Sequence, residues 1–175
     1  MSDSYERWLA LKLAQGRRQF VEGHPIPFLI WKNSPASEFP RPPGDTMRPP
    51  PQVAFHTGAS RKSVVPPAEL TIERARVYPV RKTPGRPFPE RIAIGRAPNC
   101  DIVLREPSVS KLHAHFLEVT PISAELTDAK SSNGTRVNGV ALRPGARLVV
   151  EVGDKVMFGA VTLEWMDAES LYDLL

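Results

Sequence analysis

Four short polar pieces lie between residues 92 and 139, each between runs rich in Val, Ile, Leu and Phe. They are Gly95-Arg96, Ser110 to His113, Ser132 to Thr135 and Asn138-Gly139. Together they supply a guanidinium, an ammonium, hydroxyl groups and a side-chain amide. A positive charge and hydrogen-bond donors of this kind hold a phosphate dianion when they are fixed on a rigid frame. The spacing therefore predicts a phosphate-binding site built from loops.

The segments between these pieces predict the frame. They are short, rich in β-branched and aromatic residues, and separated by turn signals such as Asn133-Gly134, Asn138-Gly139 and Gly153-Asp154. Many short strands punctuated in this way are typical of an all-β sandwich of two antiparallel-rich sheets. We expect this domain to occupy residues 69–175 and to end in a short helix. The predicted strands are 70–80, 91–95, 101–104, 113–119, 124–127, 135–137, 140–142, 147–150, 155–158 and 161–166.

Residues 1–33 predict an amphipathic and apolar arm in front of this domain. Helical spacing places Tyr5, Leu9, Leu13 and Phe20 near one side of a short helix. That helix either packs back on its own domain or docks a partner, and both alternatives remain open. The apolar segment 25–31 is too short and too proline-rich for a central strand, so we expect an edge strand or a linear motif.

Residues 34–68 predict a flexible linker. Nine prolines lie between residues 35 and 67, without any hydrophobic periodicity. The chain is thus expected to consist of a short helical arm, a proline-rich linker and the β domain.

Charge and composition exclude several classes of function. The net charge of +4 belongs entirely to residues 1–68, which hold 9 Lys and Arg against 5 Asp and Glu; residues 69–175 hold 14 of each. Nucleic-acid binding through this basic arm would be weak and salt-dependent, so we do not expect it to be the main function. The single Cys100 permits no intramolecular disulfide, and we expect a cytoplasmic protein without membrane association. No phosphate-loop, serine-hydrolase or zinc-protease motif is present, so we predict no enzyme activity, no metal site and no cofactor.

Four stretches in order resemble a forkhead-associated (FHA) domain, a phosphothreonine-binding β-sandwich. They are IAIGRAPNCDIVL (92–104), SVSKLHAHF (108–116), LTDAKSSNGTRVNG (126–139) and GDKVMFG (153–159). The resemblance covers about residues 69–166 and implies that loops at one end of the sandwich hold a phosphopeptide. It implies that the phosphate is contacted by Arg96 and Ser110 with Lys111 at the rim, and the peptide main chain by Asn133 with Ser132 beside it.

The same resemblance assigns supporting roles. His113 is expected to tie the binding loop to the sheet from within, and Asn138 to brace the loops. Three glycines are expected to shape the backbone around the site: Gly95, Gly134 and Gly139. Ser108 stands where some FHA domains carry an arginine that reads ligand side chains, so selectivity around the phosphothreonine is left open.

The expected function is that of a phosphothreonine-dependent adaptor in Ser/Thr kinase signalling. Its partners would be a phosphothreonine-containing protein and the Ser/Thr protein kinase, and Thr46 or Thr57 could act as a self-ligand once phosphorylated. The alternative is a scaffold, oligomerisation or nucleic-acid-associated protein that uses the basic arm and carries an FHA fold that does not bind phosphate.

Overall fold

The computed structural model describes residues 3–32, 75–143 and 145–175. In this part of the chain twelve strands form two sheets. The strands are β1 (Asp3–Ser4), β2 (Phe28–Trp31), β3 (Arg76–Pro79), β4 (Ile92–Gly95), β5 (Ile102–Val103), β6 (Ala114–Leu117), β7 (Ser123–Asp128), β8 (Thr135–Val137), β9 (Val140–Ala141), β10 (Arg147–Glu151), β11 (Lys155–Phe158) and β12 (Val161–Met166). The helices are α1 (Tyr5–Ala14), α2 (Arg17–Gly23) and α3 (Ala168–Leu174). None of these three helices has the length and apolarity needed to cross a membrane.

Seven strands form one sheet and five form the other. The first has the order β1-β3-β2-β12-β11-β8-β9, and the second has the order β10-β7-β6-β4-β5. Every pairing is antiparallel except that of β4 with β5. The predicted fold class, a sandwich of two mostly antiparallel sheets, is confirmed.

The main core lies between the two sheets. Alternation is clearest in β7, where residues 124, 126 and 128 are buried and their neighbours are partly exposed. Large buried side chains from both sheets fill the space, and full burial of each contributes about 1.5–3 kcal/mol to stability. They include Phe116 and Leu126 of the five-stranded sheet and Phe158 and Trp165 of the seven-stranded sheet.

Strand β2 belongs to the interior of the seven-stranded sheet, so the expectation of an edge strand or linear motif for residues 25–31 is wrong. It lies between β12 and β3, with Leu29 opposite Trp165 on one side and Tyr78 on the other. Both prolines, at positions 25 and 27, precede the strand and therefore remove no hydrogen bond from its ladder.

The two faces of β2 contact different cores. Leu29 faces the other sheet, while Phe28 and Ile30 face a second cluster formed with the helices, and all three are buried. A strand buried on both faces needs such a continuous apolar run. Residues 1–33 therefore do not form an arm outside the β domain, because this segment supplies one of its interior strands.

The predicted N-terminal helix is divided in two at Gln15 and Gly16. Trp8 and Phe20 are buried and contact each other edge to face, and Trp8 also contacts Phe28. The alternative in which the helix packs back on its own domain is the one that the structure shows. The predicted apolar face is only partly correct, because the side chain of Leu13 is 80% exposed.

The proline-rich segment lies outside the described residues. The linker predicted over residues 34–68 and the candidate self-ligands Thr46 and Thr57 fall there. These three expectations remain predictions.

Candidate functional site

The predicted phosphate-binding residues lie on three loops at one end of the five-stranded sheet. The end of β4 and the end of β7 both lie beside the start of β6, since Ile94 and Asp128 are both paired with Ala114. The loops that follow β4, precede β6 and follow β7 must therefore meet at this end. These loops comprise residues 96–101, 104–113 and 129–134.

Gly95 permits the first two loops to touch. A Cβ atom at this position would collide with the carbonyl oxygen of Lys111, a backbone atom that cannot rotate away. That carbonyl accepts hydrogen bonds from the Ala97 N–H (3.0 Å) and the Cys100 thiol (3.3 Å). Burial raises the pKa of the Cys100 thiol, which favours the protonated form that donates this bond.

Arg96 presents an exposed cation on a fixed backbone. Its N–H donates to the Ser110 carbonyl (2.9 Å), and its side-chain Nε donates to the Val109 carbonyl (3.1 Å). The guanidinium is thereby held along the second loop, while its terminal nitrogens form no hydrogen bond with the described residues. Within the described residues no carboxylate forms an ion pair with Arg96 or with the exposed Lys111. An anion could therefore bind here without displacing a carboxylate of the described residues.

Ser110 and Ser132 join the second and third loops. The Ser132 N–H donates to Ser110 Oγ at 3.0 Å. The two hydroxyl oxygens are 3.4 Å apart, which is long for a hydrogen bond between hydroxyls. The Ser110 hydroxyl thus accepts a backbone donor and keeps its own hydrogen for a stronger acceptor such as a phosphate oxygen.

Asn133 makes a second connection between these loops. Its Nδ2 donates to the Ser108 carbonyl at 2.7 Å, which leaves Oδ1 available to accept a main-chain N–H from a peptide. The hydroxyl of Ser108 accepts the Ala160 N–H at 3.1 Å. The sequence analysis considered Ser108 only as the residue that replaces the arginine of some FHA domains. It did not predict that Ser108 joins its own loop to the loops of Asn133 and Ala160, because no sequence signal marks this role.

His113 lies beneath these loops and is fully buried. Its Nδ1 accepts the Ser110 N–H (3.1 Å), so Nε2 carries the proton and donates to the Gly134 carbonyl (3.1 Å). Burial lowers the pKa of His113, outweighing the bond to Gly134 and the nearby Asp128 carboxylate, which raise it. The neutral ring therefore links the loop of Ser110 to the loop of Gly134, whose φ of 76° is easily adopted by glycine.

Asp128 is a site-supporting residue that the sequence analysis missed. Its carboxylate accepts the Ser131 N–H (2.8 Å), the Ser131 hydroxyl (2.7 Å) and the Thr135 hydroxyl (2.6 Å). Burial alone would raise the pKa of Asp128, but these hydrogen bonds outweigh burial and hold it below the usual value. The Asp-x-x-Ser spacing, which is common where an aspartate closes a turn, was the available signal.

Asn138 and Gly139 are not part of the cluster. They form the turn between β8 and β9, at the opposite end of β8 from Gly134. Asn138 accepts the Lys155 N–H (2.9 Å) and donates to the Asp154 carboxylate (2.7 Å). Its bracing therefore acts on the junction of β8 with β11, and the expected bracing of the ligand loops is at most indirect.

A family model described as "FHA domain" matches residues 92–159, the stretch that contains all three loops. The chain carries an FHA domain. FHA domains are protein-interaction modules, and the predicted family resemblance is confirmed.

The chain is similar to at least three curated proteins over part of its length, and two of them illustrate the likeness. It is 37% identical over 93 residues to the FHA domain-containing protein PS1 of Arabidopsis thaliana, and 36% identical over 72 residues to the DNA damage response protein kinase DUN1 of Saccharomyces cerevisiae. These matches cover 49% and 38% of the chain but only 6% and 14% of the two relatives. Among solved structures, Mycobacterium tuberculosis EmbR in complex with a low-affinity phosphopeptide has 26% identity and a TM-score of 0.43, over 53% of this chain and 22% of EmbR.

Proposed function

We propose that the FHA domain binds phosphothreonine peptides and that the protein acts as an adaptor in Ser/Thr kinase signalling. The observation that carries this proposal is the convergence of Arg96, Ser110, Ser132 and Asn133 on loops that are tied to each other by hydrogen bonds. The proposed partners are a phosphothreonine-containing protein and the kinase that phosphorylates it.

The phosphate would be held by charge and by a hydroxyl donor. Arg96 supplies a guanidinium whose terminal nitrogens suit two phosphate oxygens, and Lys111 adds a second positive charge at the rim. Ser110 donates its hydroxyl to a phosphate oxygen, since a phosphate dianion offers acceptors only and the Ser110 oxygen is oriented by the Ser132 N–H that it accepts. Phosphate binding would therefore need no rearrangement of the loop backbone.

The peptide main chain would be held by Asn133. Its amide nitrogen is engaged with Ser108, so the carbonyl oxygen is the atom that accepts a peptide N–H. Because Asn133 and Ser110 lie on loops joined to each other, the distance between the phosphate contact and the main-chain contact is set before the ligand binds. Preorganisation of this kind lowers the entropic cost of binding.

The test is a calorimetric titration of the full chain with a phosphothreonine peptide library and with the same peptides unphosphorylated. Arg96→Ala is expected to weaken phosphopeptide binding by roughly 2–5 kcal/mol, the range for removing one member of a desolvated charge pair. Arg81→Ala is the matched control, because Arg81 is exposed but follows β3, outside the three loops. Unchanged affinity in a folded Arg96→Ala protein would contradict the proposal.

Selectivity for phosphothreonine over phosphoserine is a second expectation. One buried methyl group is worth on the order of 1 kcal/mol, so a matched phosphoserine peptide should bind several-fold more weakly. Equal affinities would mean that these loops recognise the phosphate alone.

A further inference from the structure

A fourth loop lies at the ligand-binding end of the sandwich and contacts two of the three ligand loops. It is the turn between β11 and β12, Gly159-Ala160, called here the β11–β12 turn. Its position follows from strand pairing, because Phe158 is paired with Thr135, the residue directly after the third loop. Neither residue of this turn is among the candidate ligand contacts, so its place beside the site calls for another role.

Both residues of the β11–β12 turn hold Ser108. The Ala160 N–H donates to Ser108 Oγ at 3.1 Å. Gly159, with a φ of 61°, packs closely against the Ser108 backbone. A Cβ atom at position 159 would collide with the Ser108 carbonyl oxygen and would lie 2.9 Å from the carbonyl carbon. The turn therefore fixes where the Ser108 carbonyl lies, and only glycine leaves room for it there.

The same turn also holds the backbone beside Asn133. The Gly159 N–H donates to the Gly134 carbonyl at 3.1 Å, and Gly134 directly follows Asn133. Asn133 in turn donates from Nδ2 to the Ser108 carbonyl at 2.7 Å. The donor and the acceptor of this bond between two ligand loops are thus both positioned by the β11–β12 turn.

The Ser108 carbonyl determines which end of the Asn133 amide faces a ligand. A carbonyl oxygen accepts hydrogen bonds and cannot donate them, so the NH2 group of Asn133 must point toward Ser108 and Oδ1 must point away. If the carbonyl were displaced, little would oppose rotation of this exposed amide by half a turn. The NH2 group would then face the peptide main-chain N–H, and two donors cannot bond to each other. Recognition of a peptide N–H therefore depends on where the Ser108 carbonyl lies.

We propose that the β11–β12 turn positions the group that recognises the peptide main chain, with Gly159 and Ser108 as positioning residues that act through Asn133. This role rests on the proposed function, because the ligand group concerned is the peptide N–H that Asn133 accepts. The phosphate contacts are held separately: Arg96 Nε donates to the Val109 carbonyl, and Ser110 Oγ accepts the Ser132 N–H. Changes in the turn should therefore weaken the main-chain contact and leave the phosphate contact in place.

An ester scan of the ligand measures the main-chain contact separately from the phosphate contact. The full chain is titrated by calorimetry with a phosphothreonine peptide, with its unphosphorylated form, and with phosphorylated versions in which one amide N–H at a time is replaced by an ester oxygen. In the parent, one ester position should weaken binding by about three- to tenfold, the size of one net hydrogen bond. Asn133→Ala should bind the amide and that ester with equal affinity, because the acceptor of the N–H has been removed.

Gly159→Ala should behave like Asn133→Ala in this scan. We expect the ester effect to be lost, while phosphorylation of the peptide still strengthens binding. Gly153→Ala is the matched control: Gly153 has a φ of 94°, so alanine is strained there as well, but a Cβ atom would have no atom within 4 Å. Gly153 lies in the turn between β10 and β11, at the opposite end of β11 from Gly159. This control should keep the ester effect of the parent.

Variants of Ser108 test the same contact without introducing a clash, and they serve where Gly159→Ala does not fold. Ser108→Ala removes the acceptor of the Ala160 N–H and should reduce the ester effect. Ser108→Thr keeps a hydroxyl group and should retain it. An ester effect that is as large in Ser108→Ala, or in folded Gly159→Ala, as in the parent overturns the inference.

The same titrations distinguish failure of this inference from failure of the proposed function. If the parent binds the phosphorylated and unphosphorylated peptides equally, the phosphopeptide proposal fails and the role of the turn fails with it. If the parent requires the phosphate but shows no ester effect, or shows one that Asn133→Ala leaves intact, only the inference about the turn is overturned.

Discussion

Replacement of His113 by alanine should destabilise the fold by about 2–4 kcal/mol. The Ser110 N–H loses its acceptor, and an orphaned buried donor costs about 1–3 kcal/mol. Loss of the hydrogen bond to the Gly134 carbonyl costs less free energy, because this carbonyl still accepts the Gly159 N–H at 3.1 Å. The edge-to-face contact between His113 and Phe158, with ring centroids 5.6 Å apart, adds about 0.5–1.5 kcal/mol.

Urea unfolding followed by circular dichroism measures this loss. His115→Ala is a matched control, because His115 is the next-but-one residue on the same chain segment and its ring has no hydrogen bond to the described residues. We expect the control to lose clearly less stability than His113→Ala. At a temperature where both variants are folded, His113→Ala should retain its phosphopeptide affinity to within about tenfold, since the ring is buried below the loops.

The reasoning would be refuted by one combination of results. If His113→Ala unfolds at the same urea concentration as the parent and yet fails to bind phosphopeptide, the ring contacts the ligand. The loops would then have to open on binding, and the preorganised arrangement described above would be incorrect.

Three further predictions follow from named contacts. Burial lowers the pKa of His113 in the folded protein. The contribution of the neutral ring to stability is therefore fully present above the unfolded pKa of about 6.5 and is lost as the pH falls below that value. Between about pH 7.5 and pH 5, the melting temperature should fall more in the parent than in His113→Gln. Gly95→Ala should lower both the melting temperature and the affinity for phosphopeptide measured by calorimetry, because the new Cβ would collide with the backbone of the next loop. Gly23→Ala should change neither quantity, because a Cβ at position 23 would have no atom within 4 Å. Leu29→Ala should lower the free energy of unfolding in urea by about 2–5 kcal/mol, because Leu29 is fully buried. The control Leu13→Ala, at an exposed position, should change it by no more than about 0.5 kcal/mol. Equal losses of stability would mean that β2 is not an interior strand.

Most strands of the sandwich could be predicted because their signals are local. The bounds predicted for β8, β11 and β12 agree with the structure, and those of β4, β6, β7 and β10 differ by one or two residues at one or both ends. The alternating burial of β7 and the turn residues between strands depend only on neighbours in the chain. The strand predicted over residues 70–80 contains β3 and extends beyond it by one residue at 80 and at 75, and residues 70–74 lie outside the described part of the chain.

The position of the candidate site residues on loops could also be predicted, but the contacts that hold them could not. Arg96, Ser110 and Asn133 stand at spacings that the family pattern marks. The bond from Asn133 to the Ser108 carbonyl joins residues on different loops and depends on how close the two backbones approach. Such distances are set by the packing of the sheet beneath.

The sequence by itself determined the type of fold, the order of most strands and the chemistry available at one end, because turn signals, alternation and side-chain type are carried by short stretches. Only the tertiary structure decided that Phe28–Trp31 lies between β3 and β12, and that β10 is the last strand of the five-stranded sheet among the described residues. Both depend on pairing between segments far apart in the chain. A short apolar run is equally suited to an interior or an edge position, so the choice is made by the partners available in the folded sheet.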